Sequence, residues 1–237
     1  MVPKIIHFVW LGESEYPEMV SRCIKSWEKF CPYYQIMKWD EHNFPVDKYE
    51  FVKEAYEAKK YAYASDFIRL WALYNYGGVY CDTDLELLSS LDDYLVHDGF
   101  IGFQQPDLYL QTALMGFAKG SKVAGDLLEE YQHKKFVRDD GTYDLSPNTW
   151  AVTHYFDYFG LKRDNTKQII NNVDIYPSDY FCPIDWEFGE ERFTQRTVAV
   201  HHFDGSWTGR SKTKILSKIL GPKLTKKIKI LLGKWDI

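Results

Sequence analysis

The chain has 237 residues and a formal net charge of −5, and 45% of its residues are hydrophobic. This length supports one sizeable core and is short for two, and the hydrophobic content argues against extensive disorder. The charge is uneven, because residues 210–237 contain nine basic residues and one acid, and the resulting +8 leaves −13 on the remainder. An acidic body argues against nucleic acid as the main partner, since duplex binding requires a basic face on the folded domain.

The cysteines show neither the paired spacing of a zinc site nor an even disulfide framework. The first residues lack the charged and long apolar regions of a signal peptide, and no apolar run reaches the length of a membrane span. We therefore expect a cytoplasmic protein with reduced thiols.

The first eighty residues alternate predicted strands and helices. Residues 4–10 and 34–39 have the β-branched and aromatic character of buried strands. A helix is predicted between them, from Pro17 to Pro32, because apolar residues recur there at helical spacing.

Helical periodicity dominates residues 47–76, with Ser65 or Asp66 as the cap of a new helix and a pair of glycines at its end. Residues 79–81 form the next short strand. This order of strands and helices predicts right-handed crossovers and an α/β fold with a mostly parallel central sheet.

The rest of the chain is less regular. We expect two strands, two helices and a final strand, at residues 100–103, 109–117, 121–136, from 146 onward and 197–201. Residues 1–209 are therefore assigned to one domain and residues 210–237 to a tail.

Apolar residues are interleaved with the lysines of this tail. They form two groups on either side of Gly221-Pro222, which predicts two amphipathic helices. Helices with lysine-rich polar faces can lie on an anionic membrane surface. A helix packed on the body with its lysines in solvent is the alternative, and the sign of the charge favours the membrane.

Asp82-Thr83-Asp84 follows the predicted strand at residues 79–81. Side chains at positions i and i+2 lie on the same side if the extended geometry continues. Two carboxylates on one side suit a hard divalent cation, Mg²⁺ or Mn²⁺, which can also bind phosphate oxygens. On spacing alone, a structural or solvated loop is the more frequent explanation of such a pair.

The preceding residues make the pattern much more specific. Residues 63–84 read YASDFIRLWALYNYGGVYCDTD, with a small-Ser-Asp-x-x-Arg segment, an apolar helix, two glycines, a strand and Asp-x-Asp. This segment closely resembles the signature of glycosyltransferase family 32, the DXD sugar-transferase family. The resemblance implies a Rossmann-like domain of the GT-A type that transfers a sugar from a nucleoside-diphosphate sugar and retains the anomeric configuration.

Residues 6–12 resemble the first strand of that family and of the related glucosylating clostridial toxins. In the toxins a tryptophan here stacks on the uracil of the donor, which implies this role for Trp10 and agrees with the location of ligands at the carboxyl ends of strands. Plain core packing is the alternative.

Residues 201–207 resemble the closing motif of the family. Its histidine lies near the metal, and its Ser-Trp end, here Ser206 and Trp207, covers the diphosphate. Because His202 lies just beyond the predicted strand, we assign it, rather than His201, to the coordination shell of the metal.

The resemblance also implies that Asp66 and Arg69 contact the hydroxyls of the donor sugar, since a carboxylate and a guanidinium suit a polyol. A surface ion pair at positions i and i+3 is the alternative. Tyr80 is either sheet packing or a donor contact. Residues 111–112 and 147–149 lie where such families carry acceptor or sugar contacts, but they match no sharp motif, and an ordinary helix cap explains residues 146–149 equally well.

Together these patterns predict a metal-dependent hexosyltransferase with a uridine donor, which needs Mn²⁺ or Mg²⁺ and acts through leaving-group stabilisation and orientation. We expect it at the cytoplasmic face of a bacterial membrane, adding a sugar to a glycan or lipid-linked precursor of a capsule, exopolysaccharide or related glycan. A toxin-like transferase that modifies proteins and a non-catalytic membrane adaptor with the same fold are the alternatives. The expected catalytic residues are Asp66, Arg69, Asp82 and Asp84.

Overall fold

The computed structural model describes residues 1–204, 216–217 and 219–231. In these ranges the strands are β1 (Ile5–Val9), β2 (Gln35–Trp39), β3 (Gly78–Cys81), β4 (Leu85–Leu87), β5 (Gly99–Gly102), β6 (Leu114–Phe117), β7 (Gln168–Ile170), β8 (Val173–Tyr176) and β9 (Ala199–His201). The α-helices are α1 (Glu18–Phe30), α2 (Glu50–Glu57), α3 (Tyr61–Tyr76), α4 (Lys122–Glu130), α5 (Asn148–Tyr158), α6 (Ser178–Phe181) and α7 (Pro222–Leu231).

Within the described residues a seven-stranded sheet has the order β2-β1-β3-β6-β5-β8-β7. β1 pairs in parallel with β2 and β3, and β5 pairs in parallel with β8, whereas β6 and β7 run antiparallel to their neighbours. Five of these seven strands share one direction, which confirms the predicted α/β fold with a mostly parallel sheet. β4 and β9 form a separate antiparallel pair, so the last predicted strand lies outside the central sheet.

The hydrophobic core lies on both faces of the central sheet, because successive side chains of a strand point to opposite faces. In β3, Tyr80 packs into the cluster that includes residues of α2 to α5, and its neighbours Val79 and Cys81 pack into the opposite cluster, with α1. Trp27 of α1 is fully buried, and its Nε1 donates a 2.8 Å hydrogen bond to the carbonyl of Leu85. Helix α1 therefore fixes the position of β4.

The helix before β3 begins earlier than predicted. The chain turns at Lys59, which has a positive φ of 55°, and α3 begins at Tyr61. Ser65 and Asp66 lie inside this helix, so the prediction that one of them caps it is wrong.

Two glycines end α3, as predicted. Gly77 and Gly78 have φ values of +67° and +113°, a region that side chains with a Cβ rarely adopt. A Cβ on Gly78 would also lie 2.7 Å from the carbonyl oxygen of Ile5 in the neighbouring strand. The glycine pair thus allows the chain to pass directly from α3 into the centre of the sheet.

Two predicted elements are shorter in the structure. Of residues 109–117 only the last four form β6, and the side-chain amide of Gln111 bonds to both backbone groups of Leu114, the first residue of this strand. The helix predicted over residues 121–136 ends at Glu130.

The tail is described in part. Residues 216, 217, 219 and 220 are helical and precede α7, in agreement with two helical segments around Gly221, whereas the boundary placed at residue 209 lies outside the described residues. None of the helices in the described ranges combines the length and the apolar character that crossing a membrane requires.

Candidate active site

Asp82 and Asp84 lie at the carboxyl end of β3. The chain turns here, with the amide of Leu85 bonded to the carbonyl of Asp82 at 3.0 Å, so the extended geometry predicted for residues 82–84 is wrong. The turn nevertheless brings the two carboxylates together. One ligand atom each of Asp82, Asp84 and His201 lies within 4.8 Å of the other two.

His201, and not His202, faces these carboxylates. The Nε2 of His201 lies 3.2 Å from Oδ1 of Asp84, whereas the Nε2 of His202 lies 2.8 Å from Oε2 of Glu86. The assignment of His202 to the metal is therefore corrected to His201. The reason is the register of β9, which pairs His201 opposite Leu85, next to Asp84, whereas the following residue has left the strand.

Asp84 also holds the segment that follows β9. Its backbone carbonyl accepts a hydrogen bond from the amide of His202 at 3.1 Å, and its Oδ2 accepts one from the amide of Asp204 at 3.0 Å. Glu86, two residues further along, contacts Nη2 of Arg22 in α1 at 3.4 Å in addition to His202. The turn after β3 is thus joined to α1 and to the segment after β9.

The donor set fits a divalent cation. Two carboxylates are ligands that Mg²⁺ and Mn²⁺ prefer, and a neutral imidazole can complete the set. Burial disfavours charge on Asp84, but the adjacent His201 outweighs it and holds the pKa of that carboxyl well below its usual range. Burial likewise acts against the charged form of His201, yet Asp84 raises the pKa of this imidazole. The pair is therefore charged without a cation, and a bound cation would replace the proton on the imidazole of His201.

Arg69 joins two acidic residues of the site from inside the fold. Its Nη2 lies 2.8 Å from Oδ1 of Asp66 and 3.3 Å from Oδ1 of Asp82. Its guanidinium lies 4.5 Å from the centre of the Tyr80 ring, and its side chain is only 5% exposed. The ion pair of Asp66 and Arg69 is therefore buried, so the alternative of a surface ion pair is wrong.

Tyr80, in β3, orients the carboxylate of Asp82. The Tyr80 hydroxyl donates a 3.0 Å hydrogen bond to Oδ1 of Asp82, the same oxygen that Arg69 contacts. Among the described residues no contact uses Oδ2 of Asp82, which leaves this oxygen to a ligand. Because Tyr80 is buried, sheet packing and the orientation of Asp82 account for its position.

Asn148 lies in a stretch for which the sequence predicts either acceptor or sugar contacts or a helix cap, and the structure places it beside Asp66. Its Nδ2 donates a 2.6 Å hydrogen bond to Oδ1 of Asp66, and its Oδ1 accepts one from the hydroxyl of Thr112 at 2.9 Å. Burial raises the pKa of the Asp66 carboxyl, and the charge of Arg69 limits that rise. Asn148 is 82 residues from Asp66 along the chain, so no local pattern could have revealed this contact.

Trp10 lies at the carboxyl end of β1, the strand next to β3. Its Nε1 donates to the carbonyl of Ser14 at 2.8 Å, and its ring packs edge-on against Tyr16 with centroids 5.2 Å apart. A surface pocket is lined by Trp10, Glu13, Ser14, Glu15, Tyr16, Lys38, Asp40, Glu41 and His42. Trp10 is therefore part of a pocket wall at the sheet edge that carries Asp82, whereas Ser206 and Trp207 fall outside the described ranges.

Sequence comparison matches residues 17–101 to the family "Glycosyltransferase sugar-binding region containing DXD motif", a segment that includes Asp66, Arg69, Asp82 and Asp84. Inositol phosphoceramide mannosyltransferase 3 of Schizosaccharomyces pombe is 31% identical over 123 residues, which are 50% of this chain and 34% of that protein. The chain thus spans about a third of the length of this curated relative.

Two solved structures share the fold. A glycosyltransferase involved in the glycosylation of the major capsid of PBCV-1 is 10% identical, with a TM-score of 0.50 over 92% of this chain and 100% of that chain. The apo-form glycosyltransferase GlyE of Streptococcus pneumoniae TIGR4 is 8% identical, with a TM-score of 0.51 over 98% and 64%. These likenesses confirm the predicted fold of the GT-A type. Residues 17–101 thus match the family of glycosyltransferase sugar-binding regions that contain a DXD motif, in agreement with the resemblance to glycosyltransferase family 32.

Proposed function

We propose that this chain is a metal-dependent retaining glycosyltransferase, which moves a sugar from a nucleoside-diphosphate sugar, specifically a UDP-sugar, to a hydroxyl acceptor. The observation that supports it best is the convergence of Asp82, Asp84 and His201 within 4.8 Å at the end of β3. Three such groups at the carboxyl edge of a mostly parallel sheet form a site where ligands of open α/β folds bind.

Each described side chain has a distinct task in this proposal. Asp82, Asp84 and His201 would hold Mn²⁺ or Mg²⁺. A bound cation would stabilise the negative charge that develops on the departing diphosphate. Asp66 accepts hydrogen bonds from sugar hydroxyls, and Arg69 fixes the carboxylates of Asp66 and Asp82 before the donor arrives. A prearranged set of charges needs no reorganisation during the reaction, which lowers its barrier.

The base of the donor is assigned to Trp10. Its indole forms one wall of the pocket beyond β1, and stacking of an aromatic ring on a base contributes about 1–3 kcal/mol. The proposal therefore predicts that the protein binds UDP compounds more tightly than GDP compounds, which a binding measurement can check.

The acceptor in this proposal is a glycan or a lipid-linked glycan. The matched Schizosaccharomyces pombe protein is named for inositol phosphoceramide, a lipid, which supports a lipid-bearing acceptor here. The basic tail supports a location on the cytoplasmic face of a bacterial membrane, where precursors of capsules, exopolysaccharides or related glycans are extended.

The proposal is tested by thermal shift of the full chain with UDP, GDP and their sugars, with and without Mn²⁺. A ligand at about 100 times its dissociation constant stabilises a protein by about 2.7 kcal/mol. We expect Mn²⁺-dependent stabilisation by UDP compounds and slow release of nucleotide from the matching UDP-sugar. Incorporation of the sugar is then measured in a lipid extract and in polypeptide. Sugar in the lipid extract would support a lipid-linked acceptor, and sugar in polypeptide would support a toxin-like protein acceptor.

Asp84→Asn and Asp139→Asn form a matched pair for this test. Asp84 is a site carboxylate, whereas Asp139 is 97% exposed and contacts only Lys135, at 3.7 Å, among the described ion pairs. Asp84→Asn is expected to abolish both the Mn²⁺ effect and nucleotide release, and Asp139→Asn to keep them. If no nucleotide stabilised the protein, or if Asp84→Asn behaved like the control, the proposed function would be wrong.

A further inference from the structure

The tail turns apolar side chains towards solvent. Four of them, three before Gly221 and one after it, have exposed fractions between 37% and 73%. We name this set the apolar row. It consists of Leu216, Ile219, Leu220 and Leu224.

Polar side chains of the tail point inward instead. Ser217 and Thr225 are only 5% and 1% exposed. The hydroxyl of Ser217 donates to the carbonyl of Phe188, and Lys229 forms an ion pair with Glu187. The tail is thus held against the body around residues 187–188 by polar groups.

This orientation is the inverse of that of an ordinary surface helix. A helix of a soluble domain buries its apolar stripe and presents its polar side to water, because burial of apolar area stabilises the fold. Here polar contacts hold the segment while the apolar row stays exposed. A group of exposed apolar side chains of this kind is typical of an interaction site.

Charge decides which partner fits the apolar row. The segment that contains it, residues 210–237, has nine basic residues and one acid, and Lys227 is exposed one turn beyond Leu224. The tail of a second copy would carry the same charge and be repelled. A lipid surface with anionic headgroups fits both the apolar side chains and the basic charge of the tail, because acyl chains accept apolar side chains and anionic headgroups attract lysines.

We propose that the apolar row docks the protein on an anionic lipid surface, with Lys227 on the headgroups and the Ser217–Phe188 side turned to the body. The proposal stands on the tail alone and needs no transfer reaction. The vesicle-binding experiment therefore contains neither nucleotide nor acceptor.

The full chain is sedimented with vesicles of phosphatidylcholine, with or without phosphatidylglycerol. We expect binding to the vesicles with phosphatidylglycerol and much weaker binding to those without it. Binding should weaken as salt rises from about 0.1 M to about 1 M, where the Debye length falls from about 10 Å to about 3 Å. Equal binding to both vesicle types, or no binding, would overturn the proposal.

Ile219→Gln combined with Leu220→Gln tests the apolar row directly, and Ile169→Gln is the matched control. Ile169 is an isoleucine of β7 that is 58% exposed, far along the chain from the tail. We expect the double variant to bind phosphatidylglycerol vesicles about tenfold or more weakly, and the control to bind like the parent chain. An unchanged double variant would also overturn the proposal.

Two further readouts separate this proposal from the proposed function. Asp84→Asn should keep full vesicle binding, and the double variant should keep Mn²⁺-dependent nucleotide binding in the absence of vesicles. Light scattering without vesicles should show no self-association that depends on the apolar row. Such self-association would assign the row to a second copy of the chain and contradict the lipid surface.

Discussion

The guanidinium Nη1 of Arg69 donates a 2.8 Å hydrogen bond to the backbone carbonyl of Thr112. This bond ties the middle of α3 to the loop before β6 and fixes one end of the guanidinium. The other end then reaches Asp66 and Asp82 together. One buried side chain thus sets the spacing of two site carboxylates.

Arg69→Lys is expected to disturb both the fold and the site. An ammonium group cannot reproduce the planar set of donors, so the two carboxylates lose a shared partner. We expect the free energy of unfolding to fall by about 3 kcal/mol in urea titrations, together with a large loss of nucleotide release. Arg138→Lys is the control, because Arg138 is half exposed in its pair with Asp144 and should cost less than about 1 kcal/mol. Equal losses in the two variants would contradict a special role of Arg69.

His201→Ala and His202→Ala separate the two adjacent histidines. Because His201 supplies a ligand atom, its loss should weaken Mn²⁺ binding, measured by calorimetry, by more than about a hundredfold. The His202 side chain contacts Glu86 and Arg22 and not the carboxylates of Asp82 and Asp84, so its loss should cost about tenfold at most. The reverse order of the two effects would restore the original assignment to His202.

Glu86→Gln tests the support behind the site. Its neutral amide should loosen the contacts of Glu86 with His202 and Arg22 and so shift the Mn²⁺ concentration needed for nucleotide binding upward, by up to about tenfold. The pair is partly exposed, so the free energy of unfolding should change by less than about 1 kcal/mol. Glu190→Gln, which removes a similarly exposed partner of Arg192, should leave the Mn²⁺ requirement as it is. A shift of the same size in both variants would exclude this role for Glu86.

The buried side chain of His7 should make the free energy of unfolding depend on pH. It is fully buried, its Nε2 donates to the carbonyl of Gly77 at 2.8 Å, and its Nδ1 accepts from Nε1 of Trp39 at 3.1 Å, so both nitrogens are satisfied by a neutral ring. Burial lowers the pKa of this imidazole below its ordinary value of 6.5. The unfolded chain therefore takes up the proton first as the pH falls.

The contribution of His7 to stability is complete above about pH 6.5 and is lost as the pH falls towards the lower pKa of the folded state. The resulting slope of the free energy of unfolding is at most about 1.4 kcal/mol per pH unit. Urea titrations should show this slope in the parent chain and a shallower one in His7→Gln, which does not titrate. Parallel curves for the two proteins would show that His7 is not the source.

The parts of the site that could be predicted from sequence are those built by neighbours along the chain. The helix with Asp66 and Arg69, the glycines after it and the strand before Asp82 lie within one continuous segment, where periodicity and turn chemistry act locally. The contact between Asn148 and Asp66 could not be predicted in this way, because it joins helices 82 residues apart.

The error at His202 has a similar origin. Which of two adjacent histidines meets Asp84 depends on the register between β4 and β9, and these strands are separated by more than 110 residues. The alternation of buried and exposed side chains within β9 alone does not determine that register. The turn at Asp82-Thr83-Asp84 likewise depends on the pairing of β4 with its partner, not on the three letters themselves.

The hydrogen bond between Oδ2 of Asp84 and the amide of Asp204 has a thermodynamic consequence. The same carboxylate group belongs to the candidate cation site and holds the backbone of residue 204. Whatever stabilises that hydrogen bond should therefore change cation affinity, and a bound cation should change the strength of the bond by the same factor, because linkage acts equally in both directions. Asp84 thus couples the candidate cation site to the end of the segment that follows β9.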